Sequence, residues 1–322
     1  MIPVIDISPF RTGAPGAEET AQSVKEACET IGFFVITGHG IAPDTITRLI
    51  HEARVYFDKP LEQKTKMKRS GTSFGGPTYV PPNSESLGAL DGQVGQADLK
   101  ESIDVGHRHL GDSWPAGWDS LEEAWAEAET AYTELAKTMR ALFCAAMGMA
   151  QDSLEPSFER HASSIRCLNY PEITGALRAG QVRAGVHTDY SAFTMIRGDD
   201  APGLQARGRD GTWFNVPAVP GSCVVNIGDV LMRWTNDRWI STPHRVICLE
   251  DGKESPRRQS IAFFHNPGAD AVIECLAPFR PTEGEPPYPP VTYQAYAEKK
   301  FRTQIGDPTF ELPIDNRDVR GN

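Results

Sequence analysis

Periodic patterns of apolar residues divide the chain into a mixed front part and a β-rich back part. In the front part, apolar and polar residues alternate over Ile2–Ile7, which predicts a short strand, and an apolar stripe along Ala17–Thr30 predicts an amphipathic helix. The aromatic and β-branched run Phe33–Thr37 predicts a second strand. Asp44 is the expected N-cap of a helix that runs to about Phe57.

The pattern changes after a stretch without a clear period, residues 68–118, which is expected to be a loop with short elements. Asp119–Met149 predicts a long helix and Thr292–Thr303 a closing one. Between them lie short β-rich runs separated by turn residues, namely Ile165–Tyr170, Thr194–Arg197, Cys223–Ile227, Trp239–Cys248 and Gln259–Phe264. Such runs predict a sandwich or barrel, so the fold is expected to be mainly β with flanking helices.

Composition narrows the class of protein. Lys and Arg number 32 against 43 Asp and Glu, and the net charge of −11 disfavours binding to nucleic acid or to an anionic membrane surface. The start of the chain does not read as a secretory signal, and no run is long and apolar enough for a membrane span. The six cysteines include no C-x-x-C pair, which favours free thiols in the core and a cytoplasmic protein.

Three residues on two segments form a candidate metal site. His187 and Asp189 stand two residues apart, and in a strand such residues point to the same face. His244, in a second predicted strand, would complete a set of two histidines and one carboxylate, which is typical of non-haem Fe(II) oxygenases and which Mn²⁺ would also tolerate. The alternative for His187 and Asp189 alone is an ordinary hydrogen bond at a strand end.

Two further strands place polar groups on one face. Arg258 and Ser260 share a face by period two, and a buried guanidinium needs an anionic partner, which is either a dicarboxylate co-substrate or an internal salt bridge. Arg166 and Tyr170 share a face of the earlier strand, where Tyr170 could bind the same carboxylate and Arg166 a polar group of the substrate. Both residues could instead face solvent at an edge.

The order of these motifs resembles the 2-oxoglutarate- and Fe(II)-dependent oxygenases of the isopenicillin N synthase-like group. The motifs are Asn169-Tyr170-Pro171, His187-Thr188-Asp189-Tyr190, Asn226-Ile227-Gly228-Asp229, His244-Arg245-Val246 and Arg258-Gln259-Ser260, with Ile2–Asp6, Gly32–Val35, Gly38–Ile41 and Asp98–Asp104 at the front. The resemblance covers most of residues 1–280. Within the group, the chain looks most like thymine 7-hydroxylase and many bacterial oxygenases.

The resemblance implies a double-stranded β-helix, or jelly roll, whose core spans residues 119–322 with the C-terminal helix, and a mixed α/β region of residues 1–118 that packs on it as part of one structural unit. It implies His187, Asp189 and His244 as Fe(II) ligands and catalytic residues. It further implies that Arg258, Ser260, Tyr170 and Asn169 bind 2-oxoglutarate, that Arg166, Tyr190 and Phe264 contact the substrate, and that His39 and His265 are structural.

The expected function is oxidation, most simply hydroxylation, of a small molecule with O₂, releasing succinate and CO₂. Desaturation, ring closure and ethylene formation use the same iron set, and an oxidase that works without 2-oxoglutarate would bind a substrate carboxylate at Arg258 instead. A non-catalytic binding protein on the same barrel is a third alternative. Gly71–Pro82 is a candidate lid because of its glycines and prolines, and the protein is expected to be a monomer.

Overall fold

The computed structural model of the chain describes residues 1–67, 76–88, 97–107, 114–174, 181–248 and 255–304. The helices in these ranges are α1 (Ser8–Thr12), α2 (Ala17–Thr30), α3 (Pro43–Phe57), α4 (Leu61–Lys64), α5 (Asp119–Ala146), α6 (Glu155–Phe158), α7 (Asp229–Trp234) and α8 (Tyr293–Gln304). Short 3₁₀ turns cover Thr65–Met67 and Ala277–Phe279. Within the described ranges, no helix is both long enough and apolar enough to cross a bilayer.

The strands are short and lie mostly in the second half of the chain. They are β1 (Val4–Asp6), β2 (Phe33–Thr37), β3 (Thr78–Val80), β4 (Glu101–Gly106), β5 (Ser164–Tyr170), β6 (Ala184–His187), β7 (Phe193–Gly198), β8 (Leu204–Arg207), β9 (Trp213–Asn215), β10 (Cys223–Ile227), β11 (His244–Val246), β12 (Arg258–His265), β13 (Val272–Ile273) and β14 (Val291–Thr292).

Two sheets build the core. The larger has the order β1-β2-β10-β7-β12-β5-β4-β3, and the smaller has the order β6-β11-β8-β9. Strands from residues 1–118 occupy both edges of the larger sheet, since β2 pairs with β10 and β4 pairs with β5. The architecture is the predicted one, mainly β with flanking helices around a jelly roll.

Alternation along the strands gives the large sheet two chemically different faces. Ile261 and Phe263 of β12 belong to the apolar core shared with α5, where the Phe263 ring stacks on that of Tyr132 with centroids 5.3 Å apart. Arg258, Ser260, Ala262 and Phe264 alternate with them and so point the other way, into the space between the sheets. Polar side chains on this second face are therefore removed from water without being part of the apolar core.

Several local predictions differ from the structure. Trp239–Cys248 forms only the three-residue strand β11, because Pro243 has no N–H and the Ile240 N–H donates to the Cys28 carbonyl instead of to a neighbouring strand. Asp44 is not an N-cap, since α3 begins at Pro43 and Ala42 is its N-cap. The helix predicted over Asp119–Met149 ends at residue 146, shortly before Gly148 with its positive φ of 73°. Residues 68–118 include the short strands β3 and β4, in line with the expected loop with short elements.

All six cysteines are buried and free, as predicted. The candidate lid Gly71–Pro82 lies outside the described residues in its first part, 71–75, and the chain after residue 304 lies outside them as well.

Candidate functional site

The three candidate metal ligands lie at the ends of two neighbouring strands of the small sheet. His187 is the last residue of β6 and His244 the first of β11, and the two residues are direct partners in the antiparallel pairing of these strands. Asp189 follows β6 rather than continuing it, so the prediction that a shared strand face would align it with His187 is wrong in its geometry. The carboxylate reaches the two imidazoles from the irregular segment that follows the strand.

One potential ligand atom from each residue lies within 4.8 Å of the others. Asp189 Oδ1 is 3.8 Å from Nε2 of His187 and 3.8 Å from Nε2 of His244, and the two imidazole centroids are 4.2 Å apart. Asp189 and His244 are buried and His187 is nearly so. Within the described ranges this is the one group of at least three His, Cys, Asp or Glu residues with such spacing.

Hydrogen bonds to backbone carbonyls set the protonation of both imidazoles. Nδ1 of His187 is 2.8 Å from the Gly185 carbonyl oxygen, and Nδ1 of His244 is 3.0 Å from that of Thr242. Because a carbonyl only accepts, each Nδ1 must carry the hydrogen and donate it. In the neutral form of each ring, Nε2 then carries the lone pair and points toward the Asp189 carboxylate, which is the form of imidazole that binds a metal ion.

Asp189 is held by two donors on its other oxygen. Oδ2 accepts hydrogen bonds from Thr194 Oγ1 at 2.5 Å and from Asn226 Nδ2 at 2.7 Å, which leaves Oδ1 facing the imidazoles. Burial raises the pKa of Asp189, but His244, His187 and these two donors outweigh it and lower the pKa below its usual value. Burial, with a smaller effect from His244, lowers the pKa of His187 to about 3.

The donor set is therefore two imidazoles, each with its Nε2 directed at the site, and one carboxylate, all from one side. This set fits Fe(II), because nitrogen and oxygen donors of this kind leave the opposite side of the ion open for other ligands. Zinc would favour a fourth protein ligand or a catalytic general base beside a three-ligand site.

Asp229, at the start of α7, connects the metal site to the C-terminal helix. Its backbone N–H donates to the Asp189 carbonyl at 2.8 Å. Its buried carboxylate accepts hydrogen bonds from Ser241 Oγ at 2.6 Å and Tyr296 Oη at 2.7 Å, and Lys300 Nζ lies 3.3 Å from it. Asp229 had no predicted role, although it stands in one of the motifs that carry the resemblance.

Arg258, Ser260 and Tyr170 form a second group on the inner face of the large sheet. Arg258 pairs directly with Tyr170, and its guanidinium carbon lies 5.1 Å from the centre of the Tyr170 ring. Arg258 is 5% exposed, and it donates to Ser260 Oγ at 3.0 Å and, at 3.3 Å, to the Ala201 carbonyl. No carboxylate of the described residues forms an ion pair with it, so the alternative of an internal salt bridge finds no partner there.

Asn169 does not join this group. It alternates with Tyr170 along β5 and so points to the opposite face of the sheet. There its side-chain amide donates to Glu101 Oε1 at 2.7 Å, and its oxygen accepts from Arg257 Nε at 2.7 Å. Asn169 therefore points away from Arg258, Ser260 and Tyr170, the residues predicted with it to bind 2-oxoglutarate.

The three candidate substrate residues lie near one another on the inner side. Arg166 and Phe264 are on neighbouring strands of the same face, since Arg166 pairs with Ala262. Arg166 is engaged by two carboxylates, with Nη2 2.6 Å from Asp104 Oδ2 and Nη1 3.1 Å from Glu85 Oε2. Burial, more than its acidic surroundings, raises the pKa of Tyr190 to about 12, so its hydroxyl stays protonated.

The remaining candidate histidines lie in other surroundings. His39 Nε2 bonds to the Gly221 carbonyl at 2.8 Å, and its Nδ1 accepts from the Ile41 N–H. His265 is fully buried between Ser163 and Arg140. Neither belongs to the metal group.

Family models match both parts of the chain. Residues 2–124 match a model described as the non-haem dioxygenase in morphine synthesis N-terminal region, and residues 163–267 match that of the 2OG-Fe(II) oxygenase superfamily. The second match contains all the candidate metal ligands and the Arg258 group.

Relatives and solved structures resemble the chain over most of its length. A 2-oxoglutarate-Fe(II) type oxidoreductase of Emericella nidulans is 32% identical, covering 94% of this chain and 90% of that protein. A homoarginine-6-hydroxylase of Arabidopsis thaliana is 30% identical, covering 85% and 87%. A full-length Neurospora crassa protein, crystallised in complex with alpha-KG, has a TM-score of 0.82 at 28% identity, covering 94% and 95%. The complex of the same protein with alpha-KG and thymine has a TM-score of 0.80 at 27% identity, covering 96% and 97%.

Proposed function

Because this chain belongs to the 2OG-Fe(II) oxygenase superfamily, we propose that it hydroxylates a small molecule at a site built from His187, Asp189 and His244. The enzyme uses Fe(II), 2-oxoglutarate and O₂. When bound, these supply an oxidant for a C–H bond of the substrate while 2-oxoglutarate is converted to succinate and CO₂. The three side chains would hold the iron, with Nε2 of each histidine and Oδ1 of Asp189 as ligand atoms.

The observation that carries the proposal is a buried cation without an ion-pair partner in the described ranges, beside a preformed metal site. A buried guanidinium is costly unless an anion compensates it, and a distal carboxylate of 2-oxoglutarate would do so through a two-pronged hydrogen bond. Ser260 Oγ stands 3.0 Å from Arg258 Nη1 and would join that contact, and Tyr170 lies against the same guanidinium. This arrangement supports roles for Arg258, Ser260 and Tyr170 in binding the co-substrate.

The substitution Arg258→Gln tests this assignment. We expect the KM for 2-oxoglutarate to rise at least ~10-fold, because hydrogen bonds to a charged partner are lost, while Fe(II) binding stays unchanged. Arg257→Gln is the matched control, since Arg257 points to the opposite face and pairs with Asp58 Oδ1 at 2.6 Å. An unchanged KM in Arg258→Gln would place the co-substrate elsewhere.

The metal assignment has its own test. Anaerobic titration should give one Fe(II) per chain in the native protein and none in Asp189→Ala. Of these two proteins, only the native one should release succinate as it consumes O₂. Succinate release by Asp189→Ala at the native rate would overturn the ligand assignment.

We also propose that the enzyme works as a monomer in the cytoplasm. Six buried free thiols favour a reducing compartment. The large apolar side chains exposed within the described ranges, Met1, Val4, Val55, Leu61 and Val272, are few and separated in the sequence. Light scattering during gel filtration tests the monomer, and a mass of twice 35.3 kDa would contradict it.

A further inference from the structure

Strand β4 brings polar side chains to the inner face of the barrel that neither the metal site nor the Arg258 group uses. Ser102 pairs with Leu168 and Asp104 with Arg166 of β5. The residues between and beside them, Ile103 and Val105, belong to the apolar core on the other face of the sheet. Ser102 and Asp104 therefore point to the side that holds Arg166 and Tyr170.

Two buried oxygen atoms on this strand have no hydrogen-bond partner in the described part of the chain. Ser102 is 1% exposed, and its Oγ makes no hydrogen bond there. Asp104 Oδ1 is likewise buried and unpartnered, although Oδ2 of the same carboxylate accepts from Arg166 at 2.6 Å. Native proteins rarely leave buried polar atoms unsatisfied, so each of these oxygens offers a position where a bound group can form a hydrogen bond.

The surroundings of these oxygens carry a net negative charge. Lys100 Nζ lies 2.7 Å from Glu85 and 3.4 Å from Asp98, and Arg166 contacts both Glu85 and Asp104. Burial raises the pKa of Asp98 and Asp104, and the facing Lys100 and Arg166 oppose this rise. Three carboxylates thus face two cations. Arg166 is already compensated, so a substrate carboxylate would gain little from it.

This charged group borders the metal site. Asp98 Oδ1 accepts the Gly185 N–H at 2.9 Å, and the carbonyl of the same Gly185 orients His187. A Cβ at Gly185 would lie 2.5 Å from the Gly88 nitrogen, so the segment after Glu85 packs directly on the metal-bearing strand. The charges of Arg166, Glu85 and Asp104 also act on the hydroxyl of Tyr190, which is next to Asp189 in the chain.

We propose that Asp104 and Ser102 recognise the substrate, and that they bind an N–H group of a neutral or cationic nitrogen compound. Asp104 Oδ1 accepts the hydrogen bond, the Ser102 hydroxyl either donates or accepts, and the residual negative charge disfavours an anionic substrate. This inference rests on the proposed function, since it supplies the substrate class for the same site.

Three pyrimidines and one amino acid test the proposed substrate class directly. Thymine offers two N–H donors, 1,3-dimethylthymine has none, and orotate adds a carboxylate. L-homoarginine serves as a cationic probe. Calorimetric titration is done anaerobically on protein loaded with Fe(II) and 2-oxoglutarate. We expect thymine or L-homoarginine to bind at least ~10-fold more tightly than 1,3-dimethylthymine or orotate. Preference for orotate, or no preference for the N–H probes, overturns the inference.

The variants Asp104→Asn and Ser102→Ala assign the effect to these side chains. We expect each to weaken the preferred N–H probe at least ~5-fold and Asp104→Asn also to narrow the discrimination against orotate. Asp270→Asn is the control, because it removes an exposed ion pair with Arg160 and leaves the inner face untouched. Thermal melting identifies a variant that fails to fold, in which case Ser102→Ala, the smaller change, decides.

The two levels of proposal fail in different ways. Loss of the proposed function appears as absence of Fe(II) binding and of succinate formation in the native protein, whatever probe is present. Failure of the recognition proposal appears as normal Fe(II) binding and succinate formation with unchanged probe affinities in Asp104→Asn and Ser102→Ala.

Discussion

Asp229 offers a test of whether the C-terminal helix supports the metal site. Asp229→Asn keeps the size of the side chain and the backbone hydrogen bond to Asp189, but removes the charge that Tyr296 and Lys300 face. The NH₂ group of the new asparagine would also face one of the hydroxyls, Ser241 or Tyr296, that now donate to the Asp229 carboxylate. Hydrogen bonds to charged groups contribute roughly 1.5–3 kcal/mol each, so we expect a loss of about 2–4 kcal/mol of stability.

The expected shift in melting temperature follows from chain length. For 322 residues the unfolding entropy is about 0.7 kcal/mol/K, so this loss corresponds to a decrease of about 3–6 °C. The backbone N–H of Asp229, the first residue of α7, donates to the Asp189 carbonyl. A change at Asp229 should therefore also displace Asp189, and Fe(II) affinity should fall about 10-fold. Calorimetry and anaerobic Fe(II) titration measure the two quantities separately.

A matched pair of tyrosines separates support of the helix from support of the metal. Tyr296→Phe removes a hydroxyl that donates to Asp229, and Tyr288→Phe removes one that donates at 2.8 Å to Asp237, a carboxylate outside the metal group. Both rings lie over the Arg233 guanidinium, with centroids 4.5 Å from its carbon. We expect similar destabilisation in both variants but weaker Fe(II) binding only in Tyr296→Phe. Unchanged Fe(II) affinity in both Tyr296→Phe and Asp229→Asn would refute the coupling.

Local pattern was enough to predict those elements whose hydrogen bonds and burial repeat along the sequence. The helix Ala17–Thr30 and the strand Cys223–Ile227 have the predicted bounds because each presents a continuous apolar face to the core. The strand at Trp239–Cys248 was predicted too long because apolar residues there are buried by tertiary contacts without forming a ladder. Trp239, for example, is 1% exposed in a loop that bonds back to Thr235.

The candidate site shows the same division. His187 and His244 were found from residue types and motif order, which are properties of the sequence. Ser102 and Asp104 reach the inner face only because β4 pairs with β5, a strand about sixty residues further on. The sequence predicts the run Ile165–Tyr170 as a strand, but it does not show which segment pairs with it. The Asp229 contacts with α8 likewise span 67 positions, so only the fold brings them together.

Two further predictions concern groups around the site and in the core. Asn226→Ala removes one of the donors that fix Asp189 Oδ2, so Fe(II) affinity should fall about 10- to 100-fold in anaerobic titration. The control is Asn215→Ala, which removes an exposed hydrogen bond with Gln205. Equal Fe(II) affinities in the two variants would disprove the role of Asn226. For His265, burial above all and then Arg140 lower the pKa well below the 6.5 of the unfolded chain. Between these values the unfolded state binds a proton that the folded state does not, so this contribution to stability is complete above pH 6.5 and is lost as the pH falls below it. The loss from this residue between about pH 8 and about pH 5 should be about 2 kcal/mol. Chemical denaturation at both pH values measures it, and His265→Gln, although less stable at every pH, should show a pH dependence smaller by that amount. An equal pH dependence in both proteins would mean that His265 is protonated in the folded state, where its Nε2 now faces the Arg140 guanidinium at 2.8 Å.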